Sequence, residues 1–392
     1  MGEAGKFQWL RDRLDDWEER QLTRHMKVLE SAQQSHVKWQ GRDFLMLASN
    51  SYLDLCRNPE VVRYAGEVLE AYGTGSGGSR LTTGSTVLHE ALERALADFK
   101  GTEAAITFTS GYITNLTVLQ CLCEAGDVIF SDELNHASII DGCRISRAET
   151  VVYAHNNMED LRKKVRSHPG RRGVIVSDAV FSMDGDIVNL PALMDIARES
   201  GLLTMIDEAH STGVLGRTGR GITEHFGLKE KPDLLIGTLS KAFGGEGGFV
   251  CGSETLIRYL QHRARGFVFS TAPSPVSAAS AFRAVRLLEE DPEPVRRLQH
   301  NIAFFTGCLR GQGIQTESET AIVPIIIGDE GAAMAVAERL MDQGYFISAI
   351  RYPTVAKGSA RLRVALMSSH TEEELQAAAR AIARTVQEVT AG

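Results

Sequence analysis

Lys241 lies in "GTLSKAFGGEGGFV", residues 237–250, between small hydroxyl residues and four glycines within five positions. A lysine amine can form a Schiff base with an aldehyde, whereas a lysine in a loop is ordinarily just solvated, so its surroundings decide between the two. Four other stretches share the design of "DLLIGTLSK", in which an apolar run passes directly into polar groups. "LLTMIDEAHSTGVLG" ends its run at Asp207 and His210, and "VSDAVFSMDGDIVNL" passes into Asp178 and Ser182. "ITFTSGYITN" passes into Ser110, Gly111 and Tyr112, and "SDELNHASIIDG" into Asn135 and His136. Each alone has an ordinary explanation, a helix cap for Asp207 or Ser110 and a satisfied core histidine for His136 or His210. Their coincidence outweighs those explanations, because the carboxyl ends of parallel strands are where open α/β sheets bind ligands.

The residue types on such a rim belong together chemically. An acid can keep a pyridine nitrogen protonated, a flat imidazole can stack on a ring, and helix-start amides with hydroxyls can hold a phosphate. With a lysine for the aldehyde, this is a binding set for pyridoxal 5'-phosphate. Burial against the ring is expected to lower the Lys241 amine from its free value of about 10.4, because desolvation penalises the ammonium form. Rival motifs are weaker. "GTGSGG", residues 73–78, matches G-x-G-x-x-G, but a helix pattern precedes it where the dinucleotide fingerprint needs a strand. It reads instead as a loop whose glycine backbone approaches a ligand or a neighbouring subunit. The chain has no Walker A sequence and no G-x-S-x-G elbow.

Elements able to carry that rim are visible in the periodicity. Helix patterns "PEVVRYAGEVLEAYG", "TVLHEALERALADFKG", Tyr112 to Glu124, from Met158, and "PALMDIARES" alternate with the short apolar runs "AAITFTS", "DVIFSD", "TVVYAH", "GVIVSDAVF", "LLTMID" and "DLLIGTLS". The alternation predicts a mainly parallel sheet covered on both faces. After about residue 285 the style changes to helix, "AIVPIIIGD", helix "GAAMAVAERLMDQG", "YFISAI", "RLRVAL" and a last helix from Thr371, as expected of a smaller α+β domain. Before the large domain, Trp9, Leu10, Leu14 and Trp17 share one face of a helical arm that leads to the strand "DFLMLAS". The expected division is 1–49 for arm and strand, 50–285 for the large domain and 286–392 for the small one.

Composition is that of an ordinary globular protein: 392 residues, net charge −8, 43% hydrophobic and 23% charged. No stretch approaches eighteen uninterrupted apolar residues, and the charged, amphipathic N-terminus lacks the apolar core of an export signal, so neither membrane nor export is expected. The six cysteines are scattered without C-x-x-C pairs, as expected of reduced thiols in a cytoplasmic protein without a metal site. No basic stripe suggests nucleic acid.

From about residue 20 onward the order "SNSYLDL", "GTGSGGSRLTTGS", "HEALE", "TSGYITN", "DELNHASIIDG", "FSMDGD", "IDEAHSTGVLG", "GTLSKAFGGEGG" and "AIRYPTVAKGSARLRVALMSSHT" resembles the α-oxoamine synthases. The resemblance implies PLP fold type I, the aspartate-aminotransferase fold, with a large domain built on a mainly parallel seven-stranded sheet and a smaller C-terminal α+β domain. It also implies a homodimer. It makes Lys241 the Schiff-base lysine, Asp207 the partner of the pyridine nitrogen and His136 the residue stacked on the ring, with His210 and Ser182 near the ring hydroxyl. Phosphate contacts fall to Ser110, Gly111, Tyr112, Thr238 and Ser240, with Thr271 reaching from the other subunit. Arg351, Asn50, Arg24 and Thr354 are implied as substrate-binding. Within the family, "GSGGSRLTTG" and "AIRYPTV" favour the member of biotin synthesis that joins L-alanine to a pimeloyl thioester, carried on coenzyme A or a carrier protein. Glycine with acetyl-CoA is the alternative on the same site, and a binding protein that kept the rim without the chemistry is the non-enzyme alternative. Glu246, acidic among the glycines, departs from the pattern.

Overall fold

A computed structural model of the chain describes residues 3–20, 22–23 and 25–391. Its strands, in chain order, are β1 His36–Trp39, β2 Arg42–Met46, β3 Ala104–Phe108, β4 Val128–Asp132, β5 Glu149–Tyr153, β6 Gly173–Asp178, β7 Leu203–Asp207, β8 Leu234–Thr238, β9 Gly248–Gly252, β10 Ile322–Gly328, β11 Tyr345–Phe346, β12 Ser348–Ile350 and β13 Ala360–Ala365. Seven of them form one sheet in the order β3-β9-β8-β7-β6-β4-β5. All run parallel except β9, which turns back between β3 and β8. This is the mainly parallel sheet expected, with helices on its faces. Strands β4, β6 and β8 are buried along their whole length, which is why they read as unbroken apolar runs rather than alternating ones. Strand β9, "GFVCG", does not stand out in sequence because it merges with the glycine loop before it.

The register carries the consequence for chemistry. Asp178 pairs with Asp207 at the carboxyl ends of β6 and β7, and Asp207 lies opposite Ile236 of β8, just before the loop that bears Lys241. Helix starts are set by side-chain caps. Ser110 accepts from the Ile113 amide at 3.2 Å and opens helix Gly111–Leu122, while His136 accepts from the Ser138 amide and opens Ala137–Ser146. The last helix, Glu372–Thr390, begins with a reciprocal Thr371–Glu374 capping box.

The C-terminal region contains the antiparallel sheet β10-β13-β12 with helix Glu330–Asp342 packed on it, and helix Glu372–Thr390 packs against that helix and against Glu293–Gly311. "YFISAI" is split between two sheets, since β11 pairs in parallel with β2 while β12 joins β13. The strand "DFLMLAS" therefore lies against the C-terminal part of the chain. Helix Gln8–Glu19 forms where expected, but it buries none of its residues, so the stripe Trp9, Leu10, Leu14 and Trp17 stays exposed. All six cysteines are unpaired, and no described helix is long and apolar enough to cross a membrane. Among the described residues no cluster could hold a metal ion.

Candidate active site

The loop after β8 brings the Lys241 amine to 2.8 Å from His210 Nε2, and no carboxylate among the described residues pairs with it. Burial lowers the Lys241 amine to about 8, against the opposite pull of Asp207 and Asp178, and the Arg363 guanidinium lowers it further. Burial also holds the His210 ring neutral, with the Lys241, Arg363 and His136 charges acting in the same direction. Asp207 is pinned at both oxygens, Oδ2 accepting from Asn115 Nδ2 at 2.6 Å and Oδ1 from the Ala209 amide at 2.8 Å. Its neighbour Asp178 accepts from the His136 amide at 2.7 Å, and burial beside Asp207 raises the Asp178 carboxyl well above its usual value.

His136 is a helix cap and a site residue at once. Its Nδ1 accepts from the Ser138 amide at 3.2 Å, so a neutral ring carries its proton on Nε2. Burial favours that neutral ring, opposed by Asp207 and assisted by Lys241.

A cradle lies beside these groups where helix Gly111–Leu122 starts against β8 and β9. A Cβ added at Gly111 would come within 3.2 Å of Thr238 Cβ, and one at Gly248 within 2.7 Å of the Gly111 nitrogen. Glycine at both positions lets the helix start press against the strand ends, and its first amides have no partner inside the helix. Thr238 Oγ1 lies 2.8 Å from Ser240 Oγ and donates to the Gly247 carbonyl at 2.9 Å, which places both hydroxyls at the same spot. The Tyr112 hydroxyl turns away to Asp141 Oδ2, 2.5 Å distant, so this residue offers the cradle its backbone amide.

The other side of Lys241 is built by the C-terminal region. Arg363 of β13 is buried, and it donates from Nε to the Ser182 carbonyl at 2.5 Å and from Nη2 to Asn50 Oδ1 at 3.1 Å. Asn50 Oδ1 also accepts from the Tyr52 hydroxyl at 3.0 Å, and that hydroxyl lies 2.6 Å from His210 Nδ1. Two residues before Arg363 on the same strand face, Arg361 pairs with Asp184 and donates to the Met183 carbonyl at 3.3 Å. The 182–186 turn thus receives both arginines. Its far end is tied down by His155, which bridges Asp132 at 3.0 Å and Asp186 at 2.9 Å and meets the Phe181 ring edge-on with centroids 4.4 Å apart. Burial opposes charge on His155, but its bonds to the two carboxylates prevail and raise it to about 10.

The structure therefore gathers Lys241, His210, Asp207, His136, Ser110, Gly111, Thr238, Ser240, Asn50 and the Ser182 backbone at one rim. Three expected residues lie elsewhere. Thr271 is exposed and bridged to Ser79. Arg351 and Thr354 line a cavity of about 760 Å³ with Leu14, Trp17, Leu22 and Tyr352, and Asn50 bonds Arg363. Arg24 lies outside the described residues. Glu246 is exposed on the loop. Arg363 and Tyr52 were not singled out from sequence. The alternation Arg-Leu-Arg inside an otherwise apolar strand was the available signal for Arg363, since a buried arginine there demands partners.

Pyridoxal 5'-phosphate fits this donor set. A half-buried amine of lowered basicity, a pinned carboxylate, a flat imidazole and a cradle that a Cβ would fill correspond to its aldehyde, ring nitrogen, ring face and phosphate. Comparison with known proteins agrees. A family described as aminotransferase class I and II matches residues 42–382. An 8-amino-7-oxononanoate synthase of Lysinibacillus sphaericus is 48% identical over 91% of this chain and 92% of its own. A lysine-to-alanine variant of a serine palmitoyltransferase of S. paucimobilis, with a bound PLP–myriocin aldimine, superposes with a TM-score of 0.93 at 30% identity, covering all of both chains. An 8-amino-7-oxononanoate synthase of Francisella tularensis superposes with a TM-score of 0.77 at 31% identity, covering 88% of this chain and 98% of its own.

Proposed function

The chain belongs to the class I and II aminotransferase family, and from that premise we propose that it is a PLP-dependent C-acyltransferase acting in biotin biosynthesis. It joins L-alanine to a pimeloyl thioester, releasing carbon dioxide and the thiol carrier and giving 8-amino-7-oxononanoate. The observation that carries the reading is the Lys241 amine, held at about 8 beside a neutral imidazole and two neighbouring carboxylates. The near-full-length relatives named for this reaction, at 42 to 48% identity, support the choice of product.

When bound, the cofactor supplies an aldehyde that takes the lysine amine and then the amino acid's, and a ring that draws electrons from the bonds broken at the α-carbon. The chain's residues do the rest. Asp207, immobilised by Asn115 and the Ala209 amide, keeps the ring nitrogen protonated. Lys241, once free, takes the α-proton, for which a value near 8 serves better than the ordinary one. His136, its Nδ1 occupied by the Ser138 amide, donates from Nε2 to the acyl oxygen. Arg363, set by Ser182 and Asn50, orients the amino-acid carboxylate. The helix start at Ser110 to Tyr112 with Thr238 and Ser240 holds the phosphate. A second copy of the chain supplies Thr271, which in one protomer is exposed and bridged to Ser79, and covers the bare face of Gln8–Glu19. We place the enzyme in the cytoplasm, with 50–285 binding the cofactor and 286–392 as the small domain.

The structural likeness to serine palmitoyltransferase favours a second reading, serine with a longer acyl chain, on the same rim. Free coenzyme A thiol, measured with alanine plus pimeloyl-CoA, glycine plus acetyl-CoA and serine plus palmitoyl-CoA, separates them. Preference for the first pair is expected; preference for either other pair overturns the substrate assignment.

A further inference from the structure

Tyr52 has no part in the chemistry above, yet it is fully buried and its hydroxyl touches two groups of the site. Phenylalanine would fill nearly the same space, so the hydroxyl itself needs a reason. Burial pushes the phenol up to about 12, with the Arg363 guanidinium acting against this, so at neutral pH the oxygen keeps its single proton.

Counting donors settles where each proton points. A guanidinium only donates, so the Asn50 atom facing Arg363 Nη2 at 3.1 Å is the amide oxygen. An amide oxygen only accepts, so Tyr52, 3.0 Å from it, spends its one proton there. The Tyr52 oxygen then has only lone pairs for His210 Nδ1 at 2.6 Å, and Nδ1 must carry a hydrogen. The ring is neutral in this buried place, so Nε2 bears a lone pair, aimed at the Lys241 nitrogen 2.8 Å away. Turned over, the ring would leave a buried donor or acceptor unmatched, at a cost comparable to a lost hydrogen bond.

We propose that Tyr52 is a positioning residue: its hydroxyl fixes His210 in the Nδ1–H form, so that Nε2 accepts a hydrogen bond from the free Lys241 amine and fixes how that amine is presented. The same hydroxyl connects Arg363 to Lys241 through Asn50 and His210, so a carboxylate bound at the guanidinium acts on an array that ends at the reacting amine. The inference rests on Lys241 being that amine, and it holds whichever amino acid and thioester are used.

The test is nitrogen NMR of protein labelled with 15N-histidine, in the cofactor-free protein and the holoenzyme, with the His210 signals assigned by their loss in His210→Gln. In cofactor-free wild type His210 is expected with a protonated Nδ1 and a bare Nε2, and in Tyr52→Phe with a mixture of both forms. In Tyr52→Phe holoenzyme kcat is expected to fall about tenfold at unchanged cofactor content, the worth of one hydrogen bond. A proton on Nε2 in the cofactor-free wild type overturns the proposal even if the variant does not fold. So does an unchanged tautomer in a folded Tyr52→Phe protein. Neither result bears on the thioester assay, whose failure would in turn leave the tautomer untouched.

Discussion

Two lysines direct their amines into the large sheet's surroundings, Lys100 fully buried and Lys241 half-buried, and the fold treats them oppositely. Lys100, at the end of helix Val87–Lys100, pairs with Glu208, donates to Thr212 Oγ1 at 3.2 Å and caps the Arg220 carbonyl. Lys241 meets one neutral imidazole and no paired carboxylate among the described residues. The acids are sorted just as sharply, for Asp207 and Glu208 are consecutive. Asp207 stays with Asn115 and the Ala209 amide at the rim, while Glu208 turns to Lys100 and accepts from the Ile222 amide at 2.7 Å. A buried cation with its own carboxylate and two further acceptors is fixed structure. One that is desolvated without such a partner is kept near the point of losing its proton, and is therefore reactive.

If that contrast is right, substitutions at the two lysines fail in opposite ways. Lys241→Ala should lose turnover by a factor of about 10⁴ or more, as expected when a covalent role is removed, while its melting temperature stays within a few degrees of wild type. Turnover near wild type in the thiol-release assay would break the comparison. Lys100→Met should leave Glu208 buried and unpaired and cost about 3–5 kcal/mol in urea unfolding, with turnover per folded molecule within tenfold of wild type. Adding Glu208→Gln should restore most of that stability, since the uncompensated charge goes while an oxygen remains to accept from the Ile222 amide. A double variant as unstable as the single one would mean the pair's worth lies elsewhere.

The smallest effect expected sharpens the contrast with a third cation. His155 is charged by design, bridging Asp132 and Asp186, and its folded value of about 10 lies above the free value of about 6.5. Its stabilisation is complete below pH about 6.5 and lost as pH rises toward about 10. Because the ring is partly exposed, the loss should reach only about 1–2 kcal/mol. Unfolding measured across that window should show this decline in wild type and not in His155→Gln; parallel curves would remove the clamp from the account.

The rim was legible in sequence because parallel strands buried on both faces write themselves as apolar runs, and each run's end marks the ligand edge. Lys241, Asp207 and His136 follow from that pattern. What pairs across the fold was not legible. Tyr52 and His210 are 158 residues apart, and the single oxygen that joins them to Asn50 and Arg363 depends on β13 packing against the 182–186 turn. The run "RLRVAL" shows only that Arg361 and Arg363 alternate with apolar residues; that β13 is the middle strand of its sheet and both side chains are buried depends on pairing with β10 and β12. For the same reason the eye falls on Arg351, in a conspicuous loop motif, before Arg363. A glycine loop and a short strand share composition, so β9 was invisible until its pairing with β3 and β8 was seen.

Lys241, and not Lys100 or any surface lysine, is the residue proposed to hold the cofactor. Treating the cofactor-loaded protein with borohydride fixes the lysine–cofactor linkage, and mass spectrometry of its peptides then locates the added group. The added mass is expected on the peptide containing Lys241 alone. Its appearance on another lysine, or its absence from a protein that carries full cofactor, would contradict that assignment.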